Sequence, residues 1–246
     1  MNNTCIVIPA RYESTRFPGK PLIKLLGKPM IIWVAELANK VLDRQDIFIA
    51  TDNNLIEELV LEHNFNCIRT NYAITGTDRV ALASKSLNYE LFINIQGDEP
   101  LLDPEDIEKC INLKQENPDY VFNGFNIMSV EENFSSPNIP KLVTNEQNDL
   151  IYISRALIPS QKNIINKLQL EYKKQVCIYG FSRKELNSFY NYGRKSKLEQ
   201  IEDIEILRFF ELNTPIKMFQ CRKGSLAVDI PEDVEKVEEI LLKKNS

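Results

Sequence analysis

Cys5-Ile6-Val7-Ile8-Pro9-Ala10-Arg11-Tyr12-Glu13-Ser14-Thr15-Arg16-Phe17-Pro18-Gly19-Lys20-Pro21 sets an apolar run of strand length directly before a loop that carries Arg11, Arg16 and Lys20. A short apolar run of this kind reads as a buried strand. A cationic loop leaving that strand is a place to hold a polyphosphate, because Arg grips phosphate oxygens with a planar fork and Lys supplies a compact charge. The rest of the chain is not basic: 30 Lys plus Arg face 35 Asp plus Glu, so the cluster departs from its background. A solvated basic loop is the competing reading. The segment is not a Walker P-loop, since Gly19-Lys20 is followed by Pro21 and no glycine stands five positions before Gly19.

Outward from this stretch, strand-length apolar runs alternate with helical patterns. Strands are expected at 4–9, 46–50, 66–69 and 91–95, with helices over 30–41, 53–63 and 77–87 between them. That alternation implies a parallel sheet with helices on both faces. Asp103-Pro104-Glu105-Asp106 reads as an N-cap, a proline at the first helical position and acids in the first turn, opening a helix to about 115. A strand at 120–128 follows. The middle then changes character: 141–143, 150–154 and 176–182 read as antiparallel strands, 145–149 as a turn, and 161–173 as an exposed polar excursion. Leu198, Ile201, Ile204, Leu207 and Phe210 recur at helical spacing, and a strand at 215–221 and a helix over 231–243 complete the chain.

Composition narrows the class. The 246 residues contain no linker, repeat or low-complexity tract, so a single domain over 1–246 is expected, with about 130–190 forming a small appended element. A formal net charge of -5 argues against nucleic acid and anionic membrane as partners and leaves a small anion as the ligand of the basic loop. Met1-Asn2-Asn3-Thr4 runs into the first strand without a charged leader, and no apolar run reaches transmembrane length; a cytoplasmic protein is expected. Five cysteines without a C-x-x-C pair suggest neither zinc nor a disulfide framework, and Cys177 reads as core rather than nucleophile. With His63 as the single histidine, a multi-histidine metal site is excluded, so any metal is held by oxygen.

In an open parallel sheet, ligands gather at the carboxyl ends of the strands. Ile95-Gln96-Gly97-Asp98-Glu99-Pro100 delivers a carboxylate there, either as an Asp-rich turn or as a ligand for the Mg2+ that accompanies triphosphates. Asp229, in Ala227-Val228-Asp229-Ile230-Pro231, fits equally a metal ligand paired with Asp98 and a helix cap. Thr75-Gly76-Thr77-Asp78-Arg79 fits a base pocket or a Thr77 cap, and local grounds favour the cap.

These motifs occur in an order that resembles the sugar nucleotidyltransferases, and within them the family that joins CMP to 3-deoxy-D-manno-octulosonate (Kdo). The resemblance rests on PARYESTRFPGKPL, ATD, TGTDR, INIQGDEP, YISRALIP, IYGF, LEQIE and VDIPEDV, spread over nearly the whole chain. It implies an α/β, glycosyltransferase-A-like, Rossmann-like mixed sheet, mostly parallel, with a small antiparallel dimerisation element. It implies a Mg2+-dependent cytidylyltransferase acting on CTP and a 3-deoxy-ulosonic acid, and a homodimer. By similarity, Arg11, Arg16 and Lys20 hold the triphosphate and, with Asp98, carry catalysis. Thr75, Gly76, Thr77 and Arg79 border the cytosine, Asp98 and Asp229 hold Mg2+, and Gln96, Arg155, Tyr179, Glu199 and Gln200 surround the sugar acid.

The chain departs from the family at Gln175-Val176-Cys177, where His-Leu-Gly is frequent, and at Gly224-Ser225-Leu226. Loss of that histidine removes a contact to the acceptor and leaves an amino-substituted Kdo relative as an alternative. A catalytically silent nucleotide-binding module is a further alternative; retention of the loop cations and both acids favours an enzyme.

Overall fold

The computed structural model describes residues 3–13, 17–160 and 171–244. Among these, one nine-stranded sheet carries the main path, in which strands are numbered along the chain. β1 (Thr4–Ala10) is buried at every position and lies between β4 (Ile47–Thr51) and β6 (Leu91–Ile95), parallel to both. β5 (Asn66–Arg69) extends the sheet beyond β4, also in parallel. On the other side β10 (Lys173–Ser182) runs antiparallel between β6 and β7 (Val121–Ile127), and β11 (Ile216–Gln220) closes the edge parallel to β7. The order is therefore β11-β7-β10-β6-β1-β4-β5. β8 (Lys141–Thr144) and β9 (Leu150–Ser154) form a ribbon that joins the sheet through the amino-terminal end of β10.

The period-2 alternation of strands sorts the side chains into two cores. Ile6 and Ile8 of β1 join Ile49, Ile93 and Ile178 under α1 (Met30–Asn39), α2 (Asn54–Glu62) and α4 (Pro104–Glu116). Cys5 and Val7 point the other way, with Phe92, Tyr179 and Phe181, under α3 (Gly76–Ser84), α5 (Arg183–Asn191) and α7 (Leu207–Glu211). A smaller cluster of Leu25, Met30, Leu101, Val228, Val237 and Leu241 seats α8 (Glu232–Lys244) against the loop that follows β1.

The mixed sheet with helices on both faces matches the expected class, with differences in detail. β10 is longer than expected: it takes in Lys173, and it belongs to the main sheet as well as to the ribbon. A hairpin, β2 (Lys24–Leu25) with β3 (Lys28–Pro29), turns on Leu26 and Gly27, both at positive φ (50° and 82°). The single helical pattern over 198–210 is two helices, α6 (Lys197–Glu202) and α7, separated at Asp203 in the left-handed region (φ 52°). Arg155 explains the break: its guanidinium takes the carbonyls of Glu202 and Asp203, which a continuing helix would have used itself. α5 was not apparent from periodicity, because only Leu186 and Phe189 give it a buried apolar face; its signature is the Ser182-x-x-Glu185 capping box.

The five cysteines are unpaired and three are buried. Burial pushes the Cys177 thiol well above its usual range, which keeps it protonated and poorly nucleophilic. His63 ends α2, its Nδ1 2.8 Å from the Leu59 carbonyl.

Candidate active site

The strand order reverses at β1 and β6, whose neighbours lead away in opposite directions. In such sheets this switch point leaves a crevice at the carboxyl ends. A cleft of about 1050 Å³ lies there. Arg11 follows the last residue of β1 and lines it from an exposed position. Lys20 is brought in by Gly19, whose φ of 69° lets the chain turn into a short 3-10 segment, Lys20–Leu22. Arg16 lies outside the described residues.

Lys20 meets the two acids singled out from the sequence. Its Nζ donates to Asp98 Oδ2 at 2.5 Å and to the Val228 carbonyl at 2.9 Å, and lies 3.9 Å from Asp229 Oδ1. The Val228 amide donates to the Asp98 carbonyl at 3.0 Å, which fixes the two acid-bearing segments side by side. The ammonium thus shows where a cation sits between these carboxylates. Two carboxylate oxygens facing a cleft suit a hard divalent ion, which completes its shell with substrate oxygens and water. Among the described residues no group of three or more His, Cys, Asp or Glu gathers as a metal cluster. At the start of α8, the carboxylate that accepts from the Asp229 and Ile230 amides is that of Asp233, at 3.0 and 3.2 Å.

Glu99, unremarked in the sequence, stands next to Asp98 and is 3% exposed. Ser225 Oγ donates to its Oε2 at 2.6 Å and the Cys177 amide to its Oε1 at 3.1 Å. Burial raises its carboxyl to about 7, against the downward pull of the Ser225 hydrogen bond.

The loop before α3 is held from two sides. Thr75, not Thr77, is the helix cap: its Oγ1 accepts from the Asp78 amide at 3.1 Å and donates to Asp78 Oδ2 at 2.8 Å. Thr77 is buried, and its amide and hydroxyl both donate to Glu205 Oε2, at 2.8 and 2.6 Å. The Gly76 amide donates to Glu205 Oε1 at 3.0 Å. Glu205 therefore answers the positive end of α3 with a carboxylate, a contact the break after α6 makes possible. Thr75, Gly76 and Arg79 line the cleft, whereas the Thr77 hydroxyl is committed elsewhere. A side chain at Gly76 would meet Gln96 Nε2 at 2.8 Å, so glycine lets loop and Gln96 approach. Arg79 is fixed by Asp52 at 2.7 Å and Thr70 at 2.6 Å.

On the remaining wall stand Gln96, Tyr179 and Arg155. Gln175 Nε2 donates to Asn123 Oδ1 at 2.9 Å and to the Tyr179 hydroxyl at 3.2 Å. Burial pushes the Tyr179 phenol well above its usual range, so it remains a neutral hydroxyl. Arg155 reaches the cleft while its guanidinium is spent on the carbonyls of Glu202, Asp203 and Pro137. Of Glu199 and Gln200, both expected around the sugar acid, Glu199 lines the cleft and Gln200 does not. Glu199 is fully buried, and its oxygens are taken by Arg208 Nε and Nη2, both at 2.7 Å, and by the Ser196 amide at 2.9 Å. Gln200 is exposed on α6 and is not part of the cleft wall. Glu205, Glu99 and Ser225 are among the cleft residues to which the sequence assigned no role.

Comparison with known proteins joins this geometry to a family. Residues 5–218 match the model of a family described as cytidylyltransferase. The 3-deoxy-manno-octulosonate cytidylyltransferase of Escherichia coli is 35% identical over 243 residues, covering 98% of this chain and 97% of that one. The 8-amino-3,8-dideoxy-manno-octulosonate cytidylyltransferase of Shewanella baltica (strain OS155) is also 35% identical, over 246 residues, covering 97% and 98%. Among solved structures, a CMP:2-keto-3-deoxy-manno-octonic acid synthetase complexed with CTP superposes with a TM-score of 0.89 at 33% identity, covering 99% of this chain and all of that one. Taken with the acid pair and the basic loop at the switch point, these matches place the chain in the cytidylyltransferase family.

Proposed function

We propose that this chain transfers a cytidylyl group from CTP to the anomeric hydroxyl of Kdo or a close 3-deoxy-ulosonic acid, releasing pyrophosphate. The observation that carries the reading is the convergence of Lys20, Asp98 and Asp229 at the carboxyl ends of the central strands. Arg11 and Lys20, with Arg16 by its place in the loop, bind the triphosphate, while Thr75, Gly76 and Arg79 border the cytosine. Gln96, Tyr179 and Arg155 line the acceptor's side of the cleft.

The reaction forms a bond from the anomeric oxygen to the α-phosphorus and breaks the bond to the bridging oxygen of the pyrophosphate. Charge is the main obstacle, since two anions must meet and a third departs. Cations gathered around the phosphates lower that barrier by stabilising the charge that develops on the leaving pyrophosphate. Asp98 and Asp229 would hold Mg2+, which would neutralise phosphate charge. No covalent enzyme intermediate is needed, which fits a site without a histidine or an activated thiol.

Gln175, hydrogen-bonded to Tyr179 where relatives often carry a histidine, supports a second acceptor reading, an amino-substituted Kdo. The partner chain is a second copy docked through the β8–β9 ribbon, and the reaction takes place in the cytoplasm, where the free thiols suit a reducing medium. Among the described residues no helix is long and apolar enough to cross a membrane.

Pyrophosphate release with CTP across Kdo, its 8-amino form and other ulosonic acids tests the reading. Turnover is expected with at least one of them, with CTP preferred over GTP. Silence across the panel, in protein that binds CTP, would leave a nucleotide-binding module.

A further inference from the structure

A lysine ammonium has three N–H donors and no acceptor. In Lys20 the short contacts all point one way: to Asp98 Oδ2 at 2.5 Å, to the Val228 carbonyl at 2.9 Å, and towards Asp229 Oδ1 at 3.9 Å. The three side chains are only 16%, 23% and 33% exposed, so this is a partly dehydrated cluster rather than a surface pair. Its Coulomb terms exceed those of a solvated ion pair. The ammonium lies where a divalent ion held by Asp98 and Asp229 would lie. A metal ion needs carboxylate oxygens at about 2.0–2.1 Å in a defined octahedron. It cannot take that position while a nitrogen stands 2.5 Å from one of the same oxygens.

We propose that Lys20 is a resident counter-ion that closes the Asp98–Asp229 site against free metal and is displaced when triphosphate and metal enter together. The inference rests on the assignment of the two acids as metal ligands. It gives Lys20 two partners in succession. Without nucleotide, the ammonium offsets the repulsion of two neighbouring carboxylates. When a triphosphate arrives, its oxygens offer the ammonium a new anion within the same cleft, and the vacated oxygens turn to the divalent ion. The loop geometry allows the exchange, because Lys20 opens a three-residue 3-10 segment hinged on a glycine in the left-handed region. Metal uptake is thereby tied to nucleotide uptake, and the acids do not collect stray divalent ions.

The test uses Mn2+ alone, followed by the loss of the free-ion electron paramagnetic resonance signal in nucleotide-free protein. Wild type is compared with Lys20→Met, and each of the two with its counterpart carrying Asp98→Asn as well. Lys20→Met should bind Mn2+ at least about tenfold more tightly than wild type, a modest share of the Coulomb term at this separation, and Asp98→Asn should cancel the gain. Equal affinity in wild type and Lys20→Met, lost in both on adding Asp98→Asn, overturns the counter-ion role and leaves the metal assignment standing. Uptake indifferent to Asp98→Asn, or no uptake in any of these proteins even with CTP added, removes the metal assignment and the counter-ion role with it. Lys20→Gln provides a second neutral variant. If neither neutral variant folds, the wild type decides through its 15N-labelled lysine ammonium resonances: one protected signal should stay in place with Mg2+ alone and shift with Mg2+ plus CTP. A shift with Mg2+ alone overturns the proposal.

Discussion

Arg208 is fully buried and charged, which is tolerable only because it is saturated: Nε and Nη2 donate to Glu199, and Nη1 and Nη2 donate to Asp78 at 2.8 and 3.0 Å. Its guanidinium also stacks 3.7 Å from the centre of the Phe189 ring. Arg208→Met leaves two dehydrated carboxylates facing each other, and urea unfolding should show a loss of about 3–5 kcal/mol. Glu99 gives a pH signature of opposite character. Its carboxyl stands near 7 in the folded protein, chiefly through burial, against 4.5 for an ordinary glutamate. Between those values the folded state binds more protons than the unfolded state, so stability falls as pH rises from about 4.5 to about 7 and is level above that. In chelator-treated protein this group contributes a decline on the order of 3 kcal/mol. Glu99→Gln should remove that slope; an identical pH dependence in variant and wild type would contradict the burial argument. Arg11 is exposed at the cleft, so Arg11→Ala should leave the melting temperature unchanged while lowering turnover by roughly 10²–10³-fold.

At the scale of elements, the most informative contact is the carboxylate of Glu205 on the first turn of α3. Glu205→Ala frees the Gly76 and Thr77 amides together with the Thr77 hydroxyl. It should cost about 1–3 kcal/mol in urea unfolding and raise KM for CTP more than it lowers kcat. An unchanged KM in folded protein would show that the loop keeps its shape without this support. The same contact marks the boundary of what the sequence revealed. β1, its basic loop and the Gln96–Glu99 turn were legible because each is written in consecutive residues whose chemistry is local. Glu205 was not, because its partner lies 128 residues away and its position depends on a helix break. The apolar period continues through Asp203, and nothing local announces that Arg155 will take the carbonyls there. Arg208 was hidden for a related reason: Glu199 lines the cleft as its motif implied, yet its carboxylate is answered by a guanidinium beyond the same helix break. Ser225, which lines the cleft, shows its role only in its bond to Glu99, 126 positions earlier.

At the scale of the molecule, β9 pairs only with β8 among the described residues, and Ile151 on it is 53% exposed. Open strand edges invite a second chain. Sedimentation equilibrium should report a dimer, and Ile151→Lys should shift it towards monomer without loss of fold; a monomeric wild type at micromolar concentration would contradict the docking mode. The antiparallel strand inside the sheet has another consequence, for the order in which the chain can assemble. β6 and β7 are consecutive strands, yet they do not pair; both wait for β10, whose residues follow some fifty positions after β7. During synthesis, one edge of β6 and both edges of β7 therefore stand with unmet amides and carbonyls until residue 182 has left the ribosome, and the far edge of β7 waits longer, for β11. A nascent chain stalled before that point carries three sticky edges and no native strand to close them. A fragment ending at residue 160 should accordingly aggregate rather than fold, and co-expression of the missing segment should bring part of it back into solution.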